Sequence, residues 1–339
     1  MPLRRTERAW ARTTIGEAAY AALAKGLSAS ELWSLLLGVL EQRAAQRAPA
    51  SVLQQWETDR FVSPSPVDQR TFNALDGHLL EAASSFEALE LSPLAPLGAC
   101  SAIALTSQNR IVSTVRGTEV ASDPTNLLAL ESARRLRKDP SQVIKLTTSH
   151  RVVRAQPFPR QRGFAAHFRM FCLTTAGHER KDHGLLVEAM AEHIRTHLSA
   201  LNRLERHGYE FPARSIRILA SPSRASLAKK IGAAIEATPV TPTPIPLTPV
   251  ALTPVPLTPV PLAPVAFETL THDYYDGLRF MISARGRSGE DIPLIDGGAF
   301  DWLGKLTSNH KLIFVASALG SQLAAHLFRS QAGTDAPAG

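Results

Sequence analysis

A five-residue unit, Leu247-Thr248-Pro249-Val250-Ala251, recurs as Leu252 to Pro256, Leu257 to Pro261 and Leu262 to Ala266. Proline has no backbone N–H and a fixed φ, so a segment this rich in it forms neither a helix interior nor a central strand. Residues 238–266 are therefore expected to leave the fold as an extended, polyproline-like loop. A docking peptide for a proline-recognition domain and a repeat-expanded surface loop both fit. Composition alone accounts for the second. Any core has to be assembled from the sequence on either side.

The chain has 339 residues, 44% of them hydrophobic and 20% charged, which allows one large domain or two ordinary ones and is not the composition of a disordered chain. A net charge of +7 favours anionic partners such as nucleic acid or nucleotide phosphates. It equally serves solubility, because the arginines are scattered. Cys100 and Cys172 stand alone, outside any CxxC pair, so no zinc site is implied and a reducing compartment fits. The arginines near the N-terminus are not followed by the apolar stretch of a secretory signal. No apolar run reaches the ~20 residues of a membrane span. A cytoplasmic protein with no membrane partner is the expectation.

Helical spacing governs residues 15–48, where Ala18, Ala21, Leu23 and Leu27 lead to Leu32, Leu35, Leu36, Val39 and Leu40. Ser28 or Ser30 is the candidate cap of the second helix, with Glu31 in its first turn. Residues 1–60 read as an N-terminal helical extension. A second unit, 61–328, opens after Ser63-Pro64-Ser65-Pro66 with an amphipathic helix over 68–84 and a strand over 86–91. Residues 103–106 and 111–115 read as strands joined by a hairpin turn at 107–110. A helix over 126–138 ends in Arg134, Arg135, Arg137 and Lys138, where cations complement the helix dipole. A strand pair follows at 143–154 and 163–175, then a helix over 185–207, a strand over 216–219 and a helix over 225–237. Beyond the proline-rich loop, strands at 278–283, 293–295 and 312–315 enclose a turn at Asp296-Gly297-Gly298. A helix over 320–328 and a frayed tail over 329–339 end the chain. Helices mixed with mostly antiparallel strand pairs define an α+β class, an antiparallel sheet flanked by helices.

The stretch His272-Asp273-Tyr274-Tyr275-Asp276-Gly277-Leu278-Arg279-Phe280, followed by Gly297-Gly298-Ala299-Phe300-Asp301, resembles the catalytic domain of histidyl-type class II aminoacyl-tRNA synthetases. Those enzymes carry Asp-Tyr-Tyr-Thr-Gly before a strand containing Phe, and then Gly-Gly-Arg-Tyr-Asp. Other class II elements fall in order. The segment from Asp68 to Pro93 looks like motif 1, the dimer interface of that family. Arg116-Gly117-Thr118-Glu119 stands where the family has an Arg-Pro-Glu turn. Arg154, Gly163 and His167-Phe168-Arg169-Met170-Phe171 look like motif 2. Ala318-Leu319-Gly320-Ser321-Gln322-Leu323 holds the place of motif 3. The resemblance covers roughly residues 61 to 328 and rests on shared order and spacing, since each motif alone is weak.

The resemblance implies roles. Arg154 would hold the α-phosphate of ATP or the amino acid carboxylate, with Arg169 on the return strand, because a planar guanidinium binds two oxygens at once. Glu119 would accept the amino acid's ammonium group, and Tyr274 and Tyr275 would line its side-chain pocket. Gly297 and Gly298 would let backbone approach the ligand. ATP and Mg would be the cofactors, and no protein metal site is implied. Simpler structural readings exist for each residue: surface arginines on a hairpin, packed tyrosines, a solvated carboxylate. The departures from the family are specific. Its motif 3 arginine falls on Gln322, the arginine before Asp-Tyr-Tyr falls on Leu270, and Phe300 replaces a tyrosine. No anticodon-binding module follows motif 3. These features imply a non-catalytic, homodimeric, amino-acid-binding regulatory or accessory subunit, akin to the regulatory subunit of ATP phosphoribosyltransferase and acting through a partner enzyme. Two alternatives stay open: an ATP-dependent ligase that activates an amino acid for an acceptor other than tRNA, and an accessory protein that binds RNA or DNA. Catalytic residues are left unassigned.

Overall fold

The computed structural model describes residues 10, 12–157, 165–237 and 263–330. Most of the proline-rich segment (238–262) and the tail from 331 lie outside the described residues. The first helices are α1 (Glu17–Ala21), which runs into a π-turn to Gly26, α2 (Ala29–Ala45) and α3 (Pro49–Thr58). After them come α4 (Gln69–Ala82), β1 (Glu87–Ala88), β2 (Leu94–Pro96), α5 (Ala99–Ile103), β3 (Thr118–Val120) and α6 (Pro124–Lys138). The central elements are β4 (Ile144–Val153), β5 (His167–His178), α7 (Gly184–Glu205), β6 (Ser215–Ala220) and α8 (Ala225–Glu236). The last are β7 (Val265–Thr269), β8 (Leu278–Arg285), β9 (Asp291–Phe300), α9 (Trp302–Thr307), β10 (Leu312–Leu319) and α10 (Ser321–Leu327).

The chain forms two compact units. The first comprises residues 1–66, 92–123 and 151–168; the second comprises 67–91, 124–150 and 169–339. In the first, Ser28 caps α2 through a reciprocal capping box with Glu31, as its spacing predicts. The hairpin expected over 103–115 is not formed. Residues 99–103 are instead the short helix α5, and 108–110 are a 3-10 turn. The cause is distant in sequence. The Glu119 carboxylate accepts hydrogen bonds from the Gly98 and Cys100 N–H groups at 2.8 and 3.0 Å, satisfying donors at the start of α5. β3, which carries Glu119, pairs antiparallel with β2.

The second unit carries most of an eight-stranded sheet of order β1-β4-β5-β10-β9-β8-β6-β7. Pairings β5–β10, β10–β9, β9–β8 and β8–β6 are antiparallel, while β1–β4 and β6–β7 at the two edges are parallel. The expected α+β architecture is present, with parallel pairs added at its margins. Three details differ from expectation. Val265 and Ala266, assigned to the loop, begin the edge strand β7. Asp296-Gly297-Gly298, assigned to a turn, lies inside β9. The strand expected over 86–91 is reduced to two residues.

Alternation explains which sheet face is covered. On β8, Leu278, Phe280 and Ile282 are fully buried, while Arg279 and Met281 between them are half-buried. The apolar set packs with Leu186, Met190 and Ile194 of α7, Leu227 and Ile231 of α8, and Leu75 and Leu79 of α4 in one continuous core. Residues of the other set face the opposite side.

Candidate functional site

Strand register builds a polar constellation on that second face. Arg279 of β8 pairs with Gly298 of β9, and Met281 pairs with Asp296, so Arg279 and Asp296 project to the same side. Arg279 donates from Nε and Nη2 to the two carboxylate oxygens of Asp296 at 2.9 and 2.8 Å, a bidentate pair. Its Nη1 lies 3.1 Å from His272 Nε2. Because guanidinium only donates, that nitrogen is the acceptor. The guanidinium also sits 5.3 Å from the centre of the Tyr275 ring. Burial, the Asp296 charge and a hydrogen bond to Asp296 push the Tyr275 phenol above its usual range. Tyr275 is therefore a fixed hydroxyl donor at neutral pH. The hydrogen bonds to Asp296 hold Arg279 yet more firmly in its charged form.

Aromatic rings wall this constellation. Tyr274 meets Tyr275 edge-on at 5.0 Å, and Tyr275 lies 4.9 Å from Phe300. Phe300 in turn stacks on Trp302 at 4.1 Å. Phe300 also lines a cavity of about 360 Å³ beyond it, together with Glu179, His183, Asp301 and His310. The first unit has its own cavity of about 440 Å³, lined by Phe61, Val62, Val112, Val120 and Val153.

The two glycines serve different faces. A Cβ on Gly298 would lie 2.5 Å from the Tyr275 ring and 2.3 Å from the Leu278 carbonyl oxygen. Gly298 thus lets Tyr275 lie against the strand. A Cβ on Gly297 would point to the core side, 2.4 Å from the Ser317 Cβ and 2.8 Å from Phe280. Of the residues singled out from sequence, Tyr274, Tyr275 and Gly298 come together here, and Gly297 faces away.

The remaining three are engaged with the chain itself. Glu119 is 1% exposed and accepts a third hydrogen bond, from Gln108 Nε2 at 2.8 Å. Arg154 donates through Nε to the Ser122 carbonyl at 2.9 Å, lies 3.5 Å from Asp123, and stands over the Phe168 ring. Arg169 pairs with Asp76, whose other oxygen accepts from Ser149 at 2.6 Å. Glu119 and Arg154 belong to the first unit, Arg169 to the second.

Comparison with solved structures places this architecture. Histidyl-tRNA synthetase from S. aureus matches with a TM-score of 0.54 at 12% identity, over 79% of this chain and 68% of that one. An ATP phosphoribosyltransferase regulatory subunit/histidyl-tRNA synthetase from Bacillus halodurans matches with 0.51 at 13% identity, over 78% and 82%. A putative threonyl-tRNA synthetase from Aeropyrum pernix matches with 0.55 at 11% identity, over 75% and 58%. The fold is that of the class II synthetases. No protein-family model matches the sequence, and no curated protein matches it.

Within this class II-like fold the three departures read from sequence are buried, Phe300 at 6% exposed. Leu270 is 8% exposed, its N–H bonded to the Ala220 carbonyl at 2.9 Å. Gln322 is 1% exposed in the first turn of α10. Arg279 and Asp296 were not assigned to the site from sequence, although the signal was present. Arg279 breaks an otherwise apolar alternation on β8, and Asp296 lies two residues before Gly298, hence on the same face.

Proposed function

We propose that this chain is a histidyl-tRNA-synthetase-like paralogue that binds an amino acid and acts as a regulatory or accessory subunit without forming an adenylate. One observation carries the reading: the cations of adenylation are replaced or engaged, while a partly exposed pair of opposite charge, Arg279 and Asp296, stands beside the Tyr275 ring. Leu270 and Gln322 supply no fixed charge, and Arg154 and Arg169 already face Asp123 and Asp76. Two uncharged residues at the places of family arginines, and two arginines already beside carboxylates, fit the phosphates of ATP poorly. Arg279 and Asp296 are also paired with each other, but Asp296 is 42% exposed; a zwitterion entering there exchanges that pair for its own carboxylate on the guanidinium and its ammonium on the carboxylate. Tyr275 adds a neutral donor, and the rings of Tyr274 and Phe300 supply an apolar wall. A homodimer, formed through the motif 1 region, and a partner enzyme belong to the same proposal.

The test combines binding and turnover. A panel of amino acids beginning with histidine is screened by thermal shift, and pyrophosphate exchange is measured in parallel. One amino acid is expected to raise the melting temperature, equivalent to about 2.7 kcal/mol at a hundredfold excess over its Kd. Asp296→Asn is expected to remove that shift, with exchange at background throughout. Exchange that Arg154→Ala abolishes would instead establish the amino-acid-activating ligase. No shift with any amino acid would remove the binding reading.

A further inference from the structure

The N-terminal helices carry an apolar face that the proposed ligand site does not use. Neither α2 nor α3 contains a buried residue. On α2, Glu31, Leu35, Val39 and Arg43 recur every four residues and are all exposed, Leu35 at 48% and Val39 at 45%. Residues four apart form one ridge of a helix. On α3, Val52, Leu53 and Trp56 share a face and are 50%, 57% and 51% exposed. Leu40 of α2 is likewise 48% exposed, so each of the two helices leaves its own set of apolar side chains to solvent.

We infer that α2 is a self-association helix, covered by α2 of a second copy packed antiparallel across a two-fold axis. The charge pattern selects this occupant. Glu31 lies in the first turn and Arg43 in the last, each six residues from Leu37. A two-fold rotation about that midpoint sets Glu31 against Arg43 of the second copy and Leu35 against its Val39. Each contact then occurs twice, as an isologous interface requires. Ridges of this spacing interdigitate at a crossing angle near −50°. Antiparallel packing also sets each helix terminus beside one of opposite dipole sign. The inference concerns a surface distinct from the motif 1 region and stands whether or not an amino acid binds.

Sedimentation equilibrium of the full chain over a range of concentrations tests it. Wild type is expected to associate, and Leu35→Lys with Val39→Lys to abolish this step. Arg43→Glu is expected to weaken it about tenfold, because like charges then meet at both symmetric positions. Glu31→Arg is expected to do the same, though it also removes the capping box, so circular dichroism is recorded for both. An equimolar mixture of Glu31→Arg and Arg43→Glu chains restores complementary pairs and is expected to recover wild-type affinity. A wild-type chain whose mass matches that of the Leu35→Lys, Val39→Lys chain at every concentration, an Arg43→Glu chain of unchanged affinity, or a mixture no tighter than its components would each overturn the inference. Matching masses would mean that the face serves a different protein or none.

Discussion

At the scale of single residues, the Gly297-Gly298 pair separates packing from recognition. Gly297→Ala would drive a methyl group into Ser317 and Phe280 on the core side. Overpacking of this kind costs about 1–3 kcal/mol, and urea denaturation should show it with the ligand site otherwise intact. Gly298→Ala would press on Tyr275 and on a backbone carbonyl that cannot turn aside. It should destabilise to a similar extent and also remove the amino-acid thermal shift, because Tyr275 is displaced from Asp296. Equal loss of the shift in both variants would contradict this division. Read from sequence, these glycines admit a ligand to the backbone; in the fold, protein atoms lie against both. Which atoms approach them was not legible, because Ser317, Phe280 and Tyr275 come from other strands and loops.

At the scale of elements, α7 carries two histidines one turn apart against β10. His193 Nδ1 and His197 Nε2 lie 2.9 and 2.8 Å from the Ser317 hydroxyl, and His193 Nε2 lies 3.0 Å from Thr175 Oγ1. Both rings are fully buried. Burial holds His193 well below the usual range and lowers His197 to about 3. The folded-state values lie below the unfolded value near 6.5, so the unfolded chain takes up protons first as pH falls. Stability is therefore complete above about pH 6.5 and declines towards the folded values. His197 alone should account for about 2 kcal/mol lost between pH 6.5 and 5. Urea midpoints measured from pH 7.5 to 5 should fall, and more gently in His197→Gln; a flat wild-type profile would refute the account. The helices themselves were well read from periodicity: α4, α6, α7 and α8 lie within two residues of the expected bounds. The failure at 103–115 has a physical source. The carboxylate that caps α5 is Glu119, beyond the reach of any local window.

At the scale of the whole molecule, the order of class II elements along the sequence was enough to anticipate the sheet and the helices on it. The parallel margins were not foreseen, because β7 lies directly after a segment whose composition reads as loop. Among the described residues no helix is long and apolar enough to cross a membrane. The edge strand β7 takes its first two residues, Val265 and Ala266, from the last repeat unit. It pairs in register with β6, Ile216 to Val265 through Ala220 to Thr269. Its Phe267 ring lies over Gly232 of α8, where a Cβ would come within 2.7 Å. The described elements on either side of the segment, α8 and β7, are thus each held by the sheet and by one another. Removing Leu252–Pro256 should change the unfolding free energy from urea titration by only about a few tenths of a kcal/mol, since closure entropy varies with the logarithm of loop length. A tandem repeat is a place where replication slips and copy number drifts. In this chain such drift would fall between two fixed anchors, so a lineage could gain or lose units while its sheet stayed the same.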